Sequence, residues 1–222
     1  MSDFPIRIIR ARRRTLSIHI LPDGSVVVSA PLLTSSGTIQ RFLDEKHAWI
    51  EKHLAVVKKQ LFISKRAYRD GERFLFLGQS YTLHFGNYTR ITLKNSELCF
   101  PQFLAFRVKK ELHEWYVKEA RTVISDRVVA NALQMNVHYK SISFSDTKSK
   151  WGSCTHDNRL QFNWRLIMSP IIVINYVVVH ELAHIMEKNH SDVFWTKVRN
   201  INPSYRQQIK WLKEHGNALS LE

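Results

Sequence analysis

The chain has little of what would place it in several large classes. Two cysteines, Cys99 and Cys154, are too few for a disulfide scaffold. No apolar leader opens the sequence, and no glycine-rich loop resembles a P-loop. Nucleotide hydrolysis would therefore need other machinery. The most apolar run, SPIIVINYVVVHELAHIM at residues 169–186, carries a proline near its start and His and Glu within it. It reads as a buried helix rather than a membrane span. Internal repeats and linker-like stretches are also missing. With 44% hydrophobic and 23% charged residues, the composition excludes a disordered or low-complexity chain.

What is present in excess is positive charge. The 33 Lys and Arg outnumber 19 Asp and Glu, for a net +14. Such a surplus favours anionic company, whether nucleic acid, a nucleotide, an acidic protein or a membrane surface; solubilising surface charge accounts for it equally. The one dense basic cluster is RARRR at residues 10–14. Few cysteines and no leader suit a reducing, cytoplasmic setting.

Hydrophobic periodicity then divides the elements. IRIIRA, TLSIHI and SVVVSA read as strands, and Pro22-Asp23-Gly24 marks a hairpin turn between the last two. Ile39, Phe42, Leu43, Trp49, Ile50 and Leu54 recur at helical spacing to about residue 60. Strands follow at RFLFLG, YTLHFG, RITL and ELCF. A helix over about 103–130 is expected to bury Phe106, Leu112, Tyr116 and Ile124. ISFSDT and RLQFNWRLIM are strand candidates on either side of KSKWGSCTHDN. Ser169-Pro170 then offers a capping hydroxyl and a proline at the first helical position. Two further helices are expected from Ser191 and from Asn202-Pro203, the latter reaching Gly216.

The segment HELAHIMEKNH at 180–190 carries the chemistry. Positions i and i+4 of a helix share a face, so His180 and His184 can point two imidazoles at one ion. Glu181 stands beside them as a general base that need not ligate. A third ligand requires the chain to turn back. His190 follows Lys188-Asn189, where the apolar pattern ends and asparagine tolerates the conformation that closes helices. Three histidines leave a fourth zinc position open, which is a catalytic pattern. Nickel and cobalt also accept imidazole. Glu187 falls on a neighbouring part of the helix and suits a surface or supporting role, while Tyr176 and Trp195 suit core packing.

WGSC at 151–154 is the second unusual cluster. Its glycine can bring backbone close to a ligand. Cys154 as nucleophile or metal ligand competes with a histidine set that is already complete. Lys148 and Lys150 precede the cluster and could hold an anionic substrate, or could be solvated loop lysines.

RARRRTLSIHILPDGSVVVSAP, KSKWGSCTHDNRLQFNWRLIMSP and YVVVHELAHIMEKNHSDVFW together resemble the YgjP-like metallopeptidases, predicted metal-dependent hydrolases, over nearly the whole chain. The C-terminal half is similar to SprT-like and WLM zincin proteases. The element pattern gives an α+β fold, with a β-rich N-terminal region, 1–101, carrying one helix and a more helical region, 102–222, or one continuous domain. The resemblance implies that the latter region is a minimal zincin-like catalytic one. It implies metal ligands at His180, His184 and His190, a catalytic Glu181, and motif positions at Ser153, Cys154 and Asn163. Residues 160–166 become candidates for lining a substrate cleft. The histidine spacing is also that of metzincins, but Glu187 stands where they carry glycine. The implied reaction is zinc-dependent hydrolysis of a peptide or protein. A uridine-triphosphate pyrophosphatase is the rival on the same scaffold, and a nucleic-acid-binding module with a structural metal is the rival outside enzymes.

Overall fold

The computed structural model describes residues 6–21, 25–61, 66–147 and 149–221. They form a mixed α+β protein of two compact units that divide between Arg66 and Ala67. The division expected at 101 and 102 instead runs through a single core. Phe74, Leu83, Leu98 and Phe100, on one side of it, share one buried cluster with Leu112, Tyr116, Ile124 and Phe162 on the other. Apolar strand faces are buried where they find apolar partners, and here those partners lie later in the chain.

The first unit has strands β1 (Ile6–Ala11), β2 (Ser17–Ile20) and β3 (Val26–Pro31) in the order β1-β3-β2. β2 and β3 pair antiparallel, with Ile20 opposite Val26, as the expected hairpin requires. The Pro22-Asp23-Gly24 turn itself lies outside the described residues. β1 pairs parallel with β3 along the sheet edge. Val26, Val28 and Ala30 alternate onto one face, where they join Ile39, Leu43, Ile50 and Leu54 in a small core. The helix expected to about residue 60 is in fact two, α1 (Ser36–Glu45) and α2 (His47–Leu61). At Lys46 ψ opens to 3°, and its N–H is shared between the Asp44 and Phe42 carbonyls. Ser35 caps α1, its side chain accepting from Thr38 N.

The second unit contains two sheets. Strands β4 (Arg73–Phe76), β5 (Gln79–Gly86), β6 (Thr92–Lys94) and β7 (Glu97–Pro101) lie in the order β4-β5-β7-β6. Strands β8 (Ser141–Ser145), β9 (Gly152–Cys154) and β10 (Arg159–Asn163) lie in the order β8-β10-β9. The long helix α3 (Val108–Met135) buries Leu112, Tyr116, Ala120, Ile124, Val128 and Ala132, one residue per turn. Phe106 is not among them. It sits in a 3₁₀ segment, Gln102–Arg107, that precedes α3, and is 84% exposed. Six residues before Leu112, it would stand about 120° around a 3.6-residue helix from that buried position, so even a continued helix would not turn it inward.

The run RLQFNWRLIM also changes conformation part-way. β10 stops at Asn163, whose side-chain oxygen accepts from Arg165 N, and Trp164–Met168 form a second 3₁₀ segment buried at every position. Helix α4 (Ile171–Met186) follows. Ser169 is not its cap: the hydroxyl donates back to Leu166 O at 2.7 Å, and Pro170 occupies the cap position. The start of α4 is pinned by the β4–β5 turn, where Leu77 N and Gly78 N donate to Ile167 O and Met168 O. Gly78 has φ +79°, and a Cβ there would stand 2.8 Å from the Pro170 ring. Only glycine allows that approach. Helix α5 (Asp192–Ile201) begins at its Ser191 cap as expected, and α6 (Tyr205–His215) begins after Ser204, slightly later than expected. No described helix is long and apolar enough to cross a membrane.

Candidate metal centre

Helix α4 has two halves. Val173, Ile174 and Val177–Val179 anchor its first half in the core, which fixes the rotation of the second. His180 and His184 therefore project from one face, with ring centroids 4.9 Å apart. At Glu187 the backbone turns extended, with φ −141° and ψ 110°, and the helix ends. The following loop brings His190 back, placing its Nε2 3.1 Å from His180 Nε2. One nitrogen from each of the three rings lies within 4.8 Å of the others. Among the described residues this is the one group of three or more potential metal-binding side chains, and its His190 side is exposed.

The surroundings orient the rings. Phe194 of α5 packs against all three, with centroid separations of 5.0, 4.5 and 4.8 Å to His180, His184 and His190. His184 Nδ1 lies 3.1 Å from Glu187 O, so an Nδ1–H donated to that carbonyl leaves Nε2 with its lone pair. Tyr176 is buried, and its hydroxyl lies 3.4 Å from His180 Nδ1. Trp195 stacks on Tyr205 at 5.2 Å and reaches His190 at 5.7 Å. Burial, then the neighbouring His184 and His190, push His180 down to about 3. Burial also lowers His184. The His180 and His184 rings are thus held toward the neutral form that a metal ligand needs. His180 Nε2 and His190 Nε2 stand 3.1 Å apart. The spacing is near the ~3.3 Å edge expected of a tetrahedral site with bonds of ~2.0–2.1 Å. The donor set fits a divalent transition ion.

Glu181 is 5% exposed and lies against strand β9. Burial pushes its carboxyl up to about 8, with Lys150 opposing. Gly152 accounts for the fit: a Cβ at that position would stand 2.6 Å from Glu181 Oε1 and 2.7 Å from its Cγ. The WGSC glycine, expected to bring backbone close to a ligand, instead brings it close to the Glu181 side chain. Residue alternation puts Gly152 and Cys154 on one face of β9 and turns Ser153 to the other.

The other anticipated residues divide sharply. Asn163 is buried and fully engaged, donating from Nδ2 to Thr147 O (2.7 Å) and Lys150 O (3.4 Å). It shapes the loop before Trp151 and presents no group to a ligand. Lys150 is exposed, with the Glu181 carboxylate in its field. Lys148 lies outside the described residues. The Cys154 thiol is pushed up by burial, against the lowering effect of Lys188. It is protonated at neutral pH and makes a poor nucleophile. Of residues 160–166, Leu160 and Phe162–Leu166 are buried, and Gln161 alone is partly exposed, on the central strand of its sheet. The edge strand on the α4 side is β9. Sequence reading missed Phe194 and Lys188 as builders of the site. Lys188 Nζ donates to Thr155 O (3.2 Å) and Asn158 Oδ1 (2.9 Å), tying the loop after α4 to the β9–β10 turn.

Comparison with protein families gives one match, the YgjP-like metallopeptidase domain, over residues 14–215. The chain belongs to the YgjP-like family. A YgjP-like metallopeptidase is a metal-dependent hydrolase of peptides, so family membership implies a metal ion and a peptide substrate. The curated proteins give no match. Among solved structures, this YgjP-like chain is similar to the metallopeptidase zymogen of Methanocaldococcus jannaschii, jannalysin, at 22% identity. That likeness covers 40% of this chain and 94% of the other, with a TM-score of 0.35.

Proposed function

We propose that the protein is a zinc peptidase in which His180, His184 and His190 hold the ion and Glu181 is the general base. The observation that carries this reading is the convergence of three imidazoles beside the buried Glu181 side chain. The ion, when bound, supplies Lewis acidity toward a carbonyl oxygen and toward water. The protein's part is positioning and proton transfer. Glu181, held in place by the Gly152 backbone, would be ionised by the charge of a bound cation despite its burial. It can then take a proton from the attacking water and return it to the departing amine. Phe194 and the Glu187 carbonyl keep the rings aligned. Strand β9, as an edge strand, offers backbone groups to an extended substrate, which is how a peptidase holds a chain without reading every side chain. A peptide substrate suits such an edge better than a nucleotide does.

The test combines metal content with turnover of a mixed peptide library and a nucleoside-triphosphate panel. Wild type should carry about one zinc per chain. His184→Ala should lose it. Glu181→Gln should retain it while losing about 10²–10⁴-fold in kcat. Triphosphate turnover with no peptide cleavage would replace the peptidase assignment by the pyrophosphatase one. A carefully loaded wild type without metal would overturn both, and nickel or cobalt in place of zinc would correct the ion alone.

A further inference from the structure

We propose that the first unit carries a binding site for acidic peptide segments, centred on Arg12, Arg13 and Arg14 and extending along the free edge of β1. Residues 1–66 hold 12 Lys and Arg against 5 Asp and Glu, half of the net +14 in under a third of the chain. The first 45 residues contain six arginines and no lysine. Arginine presents a planar fork that matches a carboxylate, whereas lysine serves diffuse solubility equally well.

Three arginines line a cleft of about 440 Å³ whose other wall is Pro31, Leu32 and Leu33. Arg10 fixes that wall, donating from Nη1 to Leu32 O (3.2 Å) and Thr34 O (2.5 Å). Arg13 is partly buried, and its Nε is shielded from solvent with no hydrogen-bond acceptor among the described residues. A buried guanidinium nitrogen left unpaired is costly, and an anion in the cleft would satisfy it. Arginines placed only to keep a sheet edge from aggregating would be solvated instead. Among the described residues β1 pairs only with β3, and Arg7 to Ala11 are all exposed.

The wall selects among anions. Leu33 is 99% exposed and Leu32 56%, so the cleft pairs charge with aliphatic surface. An acidic peptide with interspersed aliphatic side chains matches both, and can add a strand beside β1. A nucleic-acid site would be expected to set aromatic rings among its arginines for base stacking, and none lines this cleft. The site's use in gathering substrate rests on the peptidase reading, but the binding does not.

The experiment is fluorescence anisotropy with the full chain in chelator, so that no peptide is cut. The probes are a labelled decapeptide of alternating acidic residues and leucine, the same peptide with lysine for each acid, and a labelled single-stranded oligonucleotide. The acidic peptide should bind saturably and weaken with salt, and the lysine peptide should not bind. Arg13→Met should weaken binding at least about tenfold with an unchanged unfolding midpoint. Should Arg13→Met fail to fold, the exposed pair Arg12→Gln/Arg14→Gln serves the same purpose and should weaken binding similarly. Peptide binding indifferent to these substitutions, no peptide binding, or tighter binding of the oligonucleotide would each overturn the proposal. Loss of peptide turnover elsewhere would leave it untouched, because nothing here depends on cleavage.

Discussion

The two units answer the problem of folding a strongly basic chain in opposite ways. The second builds a large dry core, from Phe74 in its first sheet to Leu219 near the end, and sets its polar chemistry at the core's margin. Among its described residues the first buries seven hydrophobic side chains in its cluster, leaving Ile8, Ile9, Leu32 and Leu33 exposed. A small core gives little stability to spare, so precise geometry is better placed in the larger unit. Each histidine of the trio is within ring contact of Phe194, which is completely buried. The histidine trio is thus an extension of the core.

The largest effect should come from cutting that connection. Phe194→Ala removes a 0% exposed ring, and such truncations cost about 3–5 kcal/mol. We expect a lowered unfolding midpoint together with weakened metal affinity, read by competition with a chromophoric chelator. Ile50→Ala, at an equally buried position of the first unit, should cost about 2–5 kcal/mol but act locally. Faster amide exchange confined to residues 6–61, with metal affinity held within about twofold, is the expected pattern. Equal loss of metal affinity in both variants would erase the distinction between the units.

Next comes Gly152→Ala. The added methyl would stand 2.6 Å from Glu181 Oε1, so the carboxylate must move. A displacement of that kind costs about 10²-fold in kcat, with metal content unchanged. A fully active alanine variant would mean that Glu181 has room to work from elsewhere.

The HExxH helix was legible because its logic is local: an i, i+4 pair and a valine-rich turn require nothing from the rest of the chain. The hairpin, the buried face of α3 at Leu112, Tyr116 and Ile124, and the Ser191 cap were readable for the same reason. Phe106 was misplaced because, six residues before Leu112, it lies off the buried stripe even at helical spacing, and it sits in a 3₁₀ segment. Ser169-Pro170 has the composition of a helix start, yet its hydroxyl found a nearer acceptor in Leu166. The object of Gly152 was hidden for a different reason. Its partner Glu181 is 29 positions away, and no periodicity announces which side chain will fill the space that a missing Cβ leaves. Asn163, grouped with substrate contacts by its motif, holds a loop instead.

The smallest effect concerns charge, where the units differ again. In the second unit Asp157 accepts from Thr155 Oγ1 (2.6 Å) and Arg159 Nε (2.7 Å), with Lys140 Nζ at 3.4 Å. In the first, Arg12 to Arg14 have no carboxylate partner among the described residues. The hydrogen bonds from Thr155 and Arg159 hold the Asp157 carboxyl well below the usual carboxylate range. A depressed folded-state pKa stabilises the fold at any pH above the unfolded value near ~4. That contribution fades as pH falls below it toward the folded value. Asp157→Asn should therefore flatten the acid limb. Between about pH 5 and pH 3 its unfolding midpoint should drop less than that of wild type, and above about pH 6 the two should differ by a constant amount. The shift will be small because Asp157 is solvent-exposed, and salt should shrink it further. Identical slopes for the two proteins on the acid side would mean that the turn's ion pairs leave stability unchanged, making the surface charge of the second unit as thermodynamically idle as unpaired arginines in solvent.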